Sequence, residues 1–335
     1  MQRGGKMDSQ ARKKFWETLC SLDGIDVKQD EQKLVDAMQY PRYLYRFRPV
    51  SFSSLDGLQS NKLYFSSADH YDDPFDSFLH IDIPQIENEV EAFFNARKSW
   101  IPYLDKLSDM FGIPKDQVGA YFSSLELGPS SNMVIGILEQ IQHIVQSEMQ
   151  SICFCESEDG LNEQLWLKYA ENHSGFVLEY DMIDNNAFLC GKQKICENCH
   201  VKDFRYPVYP VYYATEKYDA TIFARNTAIV KASAFYPKPV QDIILEGVPA
   251  SLWERERIAL IKKICHEHDE EWRIINSGPV GGRPYICWRP SSVTLGLKMS
   301  QEKKNLVCTL SKVAGIPHIY ECYAENGELK RKMLG

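Results

Sequence analysis

"YLYRFRPVSFSSLDGLQSNKLYFSS", Tyr43 to Ser67, reads as a strand, a short helix and a second strand. Tyr43, Tyr45 and Phe47 alternate with Leu44, Arg46 and Arg48, so a period of two puts both arginines on one face of the first strand. Ser53 or Ser54 is placed to cap a helix that stops near Asn61, and Leu63 to Ser66 is apolar enough to resume a strand.

Working outward, residues 9 to 40 carry Phe15, Leu19, Leu22, Leu34, Val35 and Met38 at helical spacing, which predicts an N-terminal helical lead-in over 1–40. From Pro84 to Gln150 the spacing is helical again, most clearly at Val134, Ile137, Leu138, Ile141, Val145 and Met149, with Gly128-Pro129-Ser130-Ser131 punctuating it. "SICFCES" resumes a strand, "LNEQLWLKYAEN" forms a helix ended by Gly175, and "FVLEYD" is extended. Tyr206 to Tyr213 is extended, Thr221–Ala234 and Pro249–Lys263 are helical, and "EWRII", "VTLGLKM" and "HIYECYA" are strands around the capped helix "SQEKKNLVCTLSKVAG". Strands scattered among helices without regular alternation predict an α+β fold: one mixed or antiparallel sheet core, flanking helices and a helical insertion at 84–150. The expected layout is a single domain over 41–325, with a zinc-binding insertion at 186–203 and a tail at 326–335.

At 335 residues and 44% hydrophobic, the chain can build a sizeable core. Its net charge of -8 works against a nonspecific grip on nucleic acid or an anionic membrane. No stretch reaches the roughly 18 apolar residues of a membrane helix, and the first residues lack the apolar core of a signal peptide. Cytoplasmic location follows as the expectation, and in that compartment the ten cysteines read as reduced thiols or metal ligands.

Candidate chemistry gathers in a few places. Asp69, Asp72, Asp73 and Asp76 crowd the segment after the second strand, where Asp73-Pro74 makes a turn; turn chemistry explains such a cluster better than a metal loop, which needs a regular ligand pattern. In "DEEWRII", a strand reading puts Asp269, Glu271 and Arg273 on one face and Glu270, Trp272 and Ile274 on the other. That is either a half-exposed strand with surface ion pairs or a carboxylate held in a cleft. Arg46 and Arg48 either clamp a phosphate or partner the aspartates. Cys190, Cys196, Cys199 and His200 have zinc-ligand spacing. Cys153 and Cys155 share a strand face, as further ligands or small apolar residues, while His266 and His268 read as a solvated loop. Trp166 and Tyr169 either stack on a ligand base or belong to the core. No GxGxxG or GxxxxGK occurs in a nucleotide-binding context.

"LYRFR", "NKLYFSSADHYDDPFD", "LWLKYAENHSGFVLEY", "EWRII" and "VTLGLKMS" together resemble, in order, motifs of the bacterial family known as domain of unknown function 2971, over about Tyr43 to Tyr323. That resemblance implies no activity. Asp72-Asp73-Pro74 stands where an Asn-Asp-Pro turn is expected, and the cysteine-rich stretch near residue 195 is an addition. The order of basic strand, short helix, strand ending in serine, and late acidic strand is also similar to the ADP-ribosyltransferase fold. This second resemblance implies an NAD-utilising transferase or glycohydrolase and, by analogy, an effector in bacterial conflict or phage defence. Arg46 or Arg48 would bind phosphate or ribose, Ser66 with Ser67 would shape the nicotinamide pocket, Tyr169 would stack, and Glu271 would be catalytic beside Asp269. Two alternatives stay open: a magnesium-dependent nuclease using Asp73, Asp76 and Glu271, and a noncatalytic sensor or scaffold with a structural zinc. The expected partner is a nucleotide small molecule, with the acceptor, nucleic acid or protein, left open.

Overall fold

The computed structural model describes residues 6–68, 71, 73, 76–96, 103–123, 131–182, 207–234, 236, 238–249, 252–276 and 284–334. Helices α1 (Ser9–Ser21) and α2 (Val27–Ala37) precede strand β1 (Tyr43–Arg48). Helix α3 (Phe52–Ser60) leads to the short strands β2 (Lys62–Tyr64), β3 (Ser66–Ser67) and β4 (Leu79–His80). A helical run follows: α4 (Ile83–Asn95), α5 (Leu104–Phe111), α6 (Lys115–Ser123), α7 (Ser131–Glu139) and α8 (Ile141–Glu148). Next come β5 (Gln150–Cys155), α9 (Glu163–Tyr169) and β6 (Phe176–Asp181), then β7 (Tyr209–Pro210), β8 (Tyr212–Ala214) and β9 (Tyr218–Asp219). Helices α10 (Thr221–Ser233), α11 (Lys238–Ile244) and α12 (Glu254–Ala259) lead to β10 (Ile261–Lys263), a 3-10 helix at Ile264–Asp269 and β11 (Glu271–Ile275). The chain closes with β12 (Tyr285–Cys287), β13 (Ser292–Leu295), α13 (Gln301–Val313), β14 (His318–Glu325) and β15 (Glu328–Met333).

The architecture is α+β around a mixed nine-stranded sheet in the order β15-β14-β13-β6-β1-β5-β11-β7, with β3 joining β5 off that path. Its ladders are antiparallel except β13 with β14. Local chemistry sets the ends of the elements that frame the site. Ser51, rather than Ser53 or Ser54, caps α3 by accepting from the Ser54 N–H, and Asn61 stops it in the left-handed region at φ 53°. Asn162 caps α9 through the N–H groups of Gln164 and Leu165. Gly175 then runs so close to β1 that a Cβ there would lie 2.2 Å from the Arg48 carbonyl oxygen. Only glycine fits there.

The sheet opens between β1 and β5. These strands meet at one register position, Tyr45 opposite Cys155. The same edge of β5 is taken up again only at its other end, where Ser66 and Ser67 of β3 pair with Ser151 and Gln150. Between those contacts β1 departs from β5, and a gap separates the two halves of the sheet.

Several sequence expectations need correction. Lys62–Tyr64 pairs with Tyr285–Cys287 in a small separate ladder, not in the main sheet; of the expected strand Leu63–Ser66 only Ser66 joins β5, together with Ser67. Pro249–Lys263 is not one helix, since α12 ends at Ala259 and β10 begins at Ile261. Residues 326–335 are not merely a tail: Glu328–Met333 is an edge strand paired to β14, and Arg331 of its basic run binds Glu179 and Asp159. The expected helical insertion at 84–150 packs on the sheet, where Ile86, Val90, Leu138, Ile141 and Val145 share one buried cluster with the sheet residues Ile152, Phe154 and Trp272. Among the described residues, no helix is long and apolar enough to cross a membrane.

Candidate functional site

A cavity of about 450 Å³ lies at the gap between β1 and β5. That is within the usual range for a small-molecule site. Arg46, Arg48, Ser66, Tyr169 and Glu271 all line it. Strand alternation sends Arg46 out on the side of Leu44, whereas Glu271 and Arg273 leave β11 on the side of Cys155 and Cys153, their cross-strand partners. The gap is what lets Arg46 line the same space as Glu271.

One wall is a continuous ionic network on β11 and its neighbours. Arg273 grips Asp76 bidentately, Nη1 to Oδ1 at 2.8 Å and Nη2 to Oδ2 at 2.7 Å, and its Nε donates to Glu271 Oε1 at 2.7 Å. Lys262 donates to Glu271 Oε2 at 3.0 Å and stands 3.5 Å from both Asp76 and Asp269. Asp269 also takes Lys168 at 2.9 Å and the Tyr169 hydroxyl at 3.1 Å. Burial alone would raise the Glu271 carboxyl, but Arg273 and Lys262 outweigh it and hold it well below the usual carboxylate range. The same carboxylates act in reverse on the cations: burial opposes their charge, yet Glu271 and Asp76 hold Lys262 and Arg273 above their ordinary values. Every residue of β11 is buried, which removes the half-exposed reading of "EWRII".

From behind the sheet, the N-terminal lead-in fixes the Glu271 backbone. Arg12 Nη1 donates to the Glu271 and Val211 carbonyls at 2.9 and 3.0 Å, and the Glu271 N–H donates to the Tyr213 hydroxyl at 2.8 Å. Glu156 accepts from Trp272 Nε1 and the Met7 N–H while facing Arg12 at 3.6 Å. Burial pushes its carboxyl up, against the pull of Arg12 and the Trp272 hydrogen bond.

The opposite wall is built differently. Arg46 is 8% exposed, its guanidinium lies 5.5 Å from the Phe154 ring centroid, and it has no carboxylate partner among the described residues. Burial lowers its pKa, against a smaller opposing pull from Tyr180, Cys153, Tyr71 and Cys155. Phe154, Tyr180 and Trp288 pack together behind it, with ring centroids 5.0 to 5.6 Å apart. Beside it, Tyr71 donates to the Ser66 carbonyl at 3.1 Å and shares a 2.5 Å contact with Ser151 Oγ. Cys153 lies 3.6 Å from that Ser151 oxygen. Burial and the nearby Glu271 push the Cys153 thiol up to about 12, so it stays protonated.

The other expected site residues divide. Asp269 does not sit on the strand: it ends the 3-10 helix, Glu270 turns the chain at φ 46°, and the Asp269 carboxylate is enclosed behind Lys168 and Tyr169 rather than lining the cavity. Ser67 pairs with Gln150 and is absent from the lining. Trp166 is core, edge-on to Phe47 at 5.6 Å, whereas Tyr169 one turn along the same helix reaches the cavity. Of the two described aspartates, Asp76 binds Arg273, and Asp73 lies 3.0 Å from His266 Nε2. His266 belongs to the 3-10 helix and the cavity lining, not to a solvated loop. Cys190, Cys196, Cys199 and His200 lie outside the described residues, as do Asp69 and Asp72. Sequence reading passed over Lys262 and Lys168, whose surroundings carry only ordinary helical spacing.

No protein-family model, curated protein or solved structure matches the chain.

Proposed function

We propose that this cavity binds a nucleotide through its phosphate groups and that the chain is an NAD-utilising, ADP-ribosyltransferase-like transferase or glycohydrolase. The observation that carries the reading is Arg46, a buried guanidinium facing the cavity without a carboxylate partner among the described residues. A charge in that position needs an anion. Among the described residues, five basic side chains (Arg46, Arg48, Lys168, Lys262 and Arg273) and three carboxylates (Asp73, Asp76 and Glu271) line the cavity, with Asp269 paired to Lys168 and Lys262 behind them. Tyr71 and Tyr169 supply ring faces, and Ser66 with Ser151 supplies small polar wall.

Glu271 is the catalytic group in this reading. Arg273 occupies Oε1 and Lys262 occupies Oε2, which leaves each oxygen a lone pair for a ribose hydroxyl. When the bond from the ribose carbon to nicotinamide breaks, the electron pair leaves with nicotinamide and positive charge develops on the ribose beside the carboxylate. The oxygen of water or of an acceptor hydroxyl then bonds to the ribose carbon that nicotinamide left, and its proton passes to solvent. The cytoplasmic location in this reading keeps Cys153 and Cys155 reduced.

One feature favours a second, noncatalytic reading as a nucleotide sensor: Lys262 and Arg273 already neutralise Glu271. The ion pairs of Asp76 and Glu271 count against the magnesium nuclease, because a metal would have to displace Arg273 from both. The test is NAD consumption by chromatography together with NAD- and ADP-ribose-induced thermal shift. Turnover that falls on the order of a hundredfold in Glu271→Gln supports the enzyme. Stabilisation without turnover selects the sensor. No shift with either ligand removes the nucleotide reading.

A further inference from the structure

Arg46 and Arg48 leave the same strand, yet the cavity uses them differently. Arg48 is half-buried at the end of β1, whereas Arg46 is buried to 8% exposure at the cavity wall that the core closes. Its guanidinium lies against Phe154, and Tyr180 and Trp288, each 1% exposed, fill the space behind that ring. A bridging diphosphate carries a nucleoside on each side, so a guanidinium that reads one needs open space on both flanks. Arg46 has core aromatic rings on one flank. That closed flank favours the end of a ligand over its middle.

The chemistry of that end follows from its surroundings. A planar fork binds carboxylates and phosphates alike. Beside Arg46, however, Ser151, Tyr71 and Cys153 form a linked set of O–H and S–H groups; such rotors can exchange their internal partners for an oxyanion, which suits a tetrahedral group with three free oxygens. Glu271 and Asp76 are paired with Arg273 and Lys262 and do not oppose an incoming anion as free charges.

We infer that Arg46 receives a terminal phosphomonoester, so that the cavity prefers nucleotides ending in one, such as a dinucleotide with a 2′-phosphate or a nucleoside monophosphate, over NAD itself. The inference rests on the nucleotide reading of the cavity and narrows its substrate class.

Calorimetry on the full chain with NADP, NAD, AMP, adenosine and inorganic phosphate tests it, in the wild type, Arg46→Met and Arg46→Lys. Wild-type protein is expected to bind NADP about tenfold or more tighter than NAD, and AMP tighter than adenosine, as one charge-assisted fork to a phosphate implies. Arg46→Met should bring NADP down to the affinity of NAD by costing NADP about tenfold more than it costs NAD, with Arg46→Lys between, because an ammonium keeps the charge without the fork. Equal wild-type affinities for NAD and NADP, or equal losses for both in Arg46→Met, overturn the inference and leave the nucleotide reading intact. Inorganic phosphate binding as tightly as AMP keeps Arg46 as a phosphate site and removes the nucleoside. No binding of any of the five removes both readings together.

Discussion

Two arginines line the same cavity in opposite electrostatic states. Arg273 is 1% exposed and completes its hydrogen bonding with Asp76, Glu271 and the Ala259 carbonyl, whereas Arg46 is nearly as buried and meets an aromatic ring. The cost of removing a guanidinium from water is similar at both positions; what differs is whether the protein itself repays it. Where the chain supplies the counter-charges, the arginine holds the fold together. Where no carboxylate among the described residues supplies one, the proposed reading assigns the counter-charge to a ligand.

The largest effect expected from breaking this contrast is at Arg273. Arg273→Met leaves Asp76 and Glu271 buried with Lys262 as their nearest remaining cation and should cost about 3–5 kcal/mol, the usual penalty for stranding buried partners. Urea denaturation measures it. The double variant Arg273→Met/Asp76→Leu should recover a substantial part of that loss, since removing both partners deletes the stranded charge. A double variant no more stable than Arg273→Met would show that the network contributes through packing rather than charge.

How much of this was legible in the sequence depends on the range of the interaction. Alternation in "YLYRFR" and "EWRII" fixed which residues share a face, and Arg46, Arg48, Ser66, Tyr169 and Glu271 do meet at one cavity. Pairing across distance was not legible: nothing local joins Asp76 to Arg273, 197 positions away, or Glu156 to Met7, 149 positions away. Asp269 was misplaced for a local reason. A 3-10 turn ended by a left-handed Glu270 has the same short polar sequence as the start of a strand. The gap between β1 and β5 depends on a single bridging pair, which no periodicity records.

A smaller effect should appear with pH, and its sign separates the front of β11 from the back. The folded-state pKa of Glu271 lies below its ordinary 4.5, so its contribution is present above that value and is lost as pH falls through the folded pKa. Glu156 is raised above 4.5 by burial, so stability declines as pH rises from there through its folded pKa. Urea midpoints between pH 3 and 8 should therefore show Glu271→Gln losing part of the acid-side fall and Glu156→Gln losing part of the decline above 4.5. Identical profiles for both variants would mean that neither carboxylate is set apart by its partners.

The smallest effect, and the one that most sharpens the contrast, is at Arg46 in the ligand-free protein. Arg46→Met replaces a charge that burial disfavours with a side chain of similar length, in contact with Phe154 and near Tyr180 and Trp288. No carboxylate is stranded, because none among the described residues pairs with Arg46. The expected change is between zero and about 1 kcal/mol of added stability, opposite in sign to that of Arg273→Met, since an unpaired buried charge costs more than an apolar side chain in the same space. Stability gained at a site where binding is lost is the usual signature of a functional residue kept at the expense of the fold. The measurement is the urea midpoint of the ligand-free variant beside wild type. A loss of 3 kcal/mol or more, on the order seen when a buried pair is broken, would make Arg46 a structural residue like Arg273 and take away the argument that its partner comes from outside the chain.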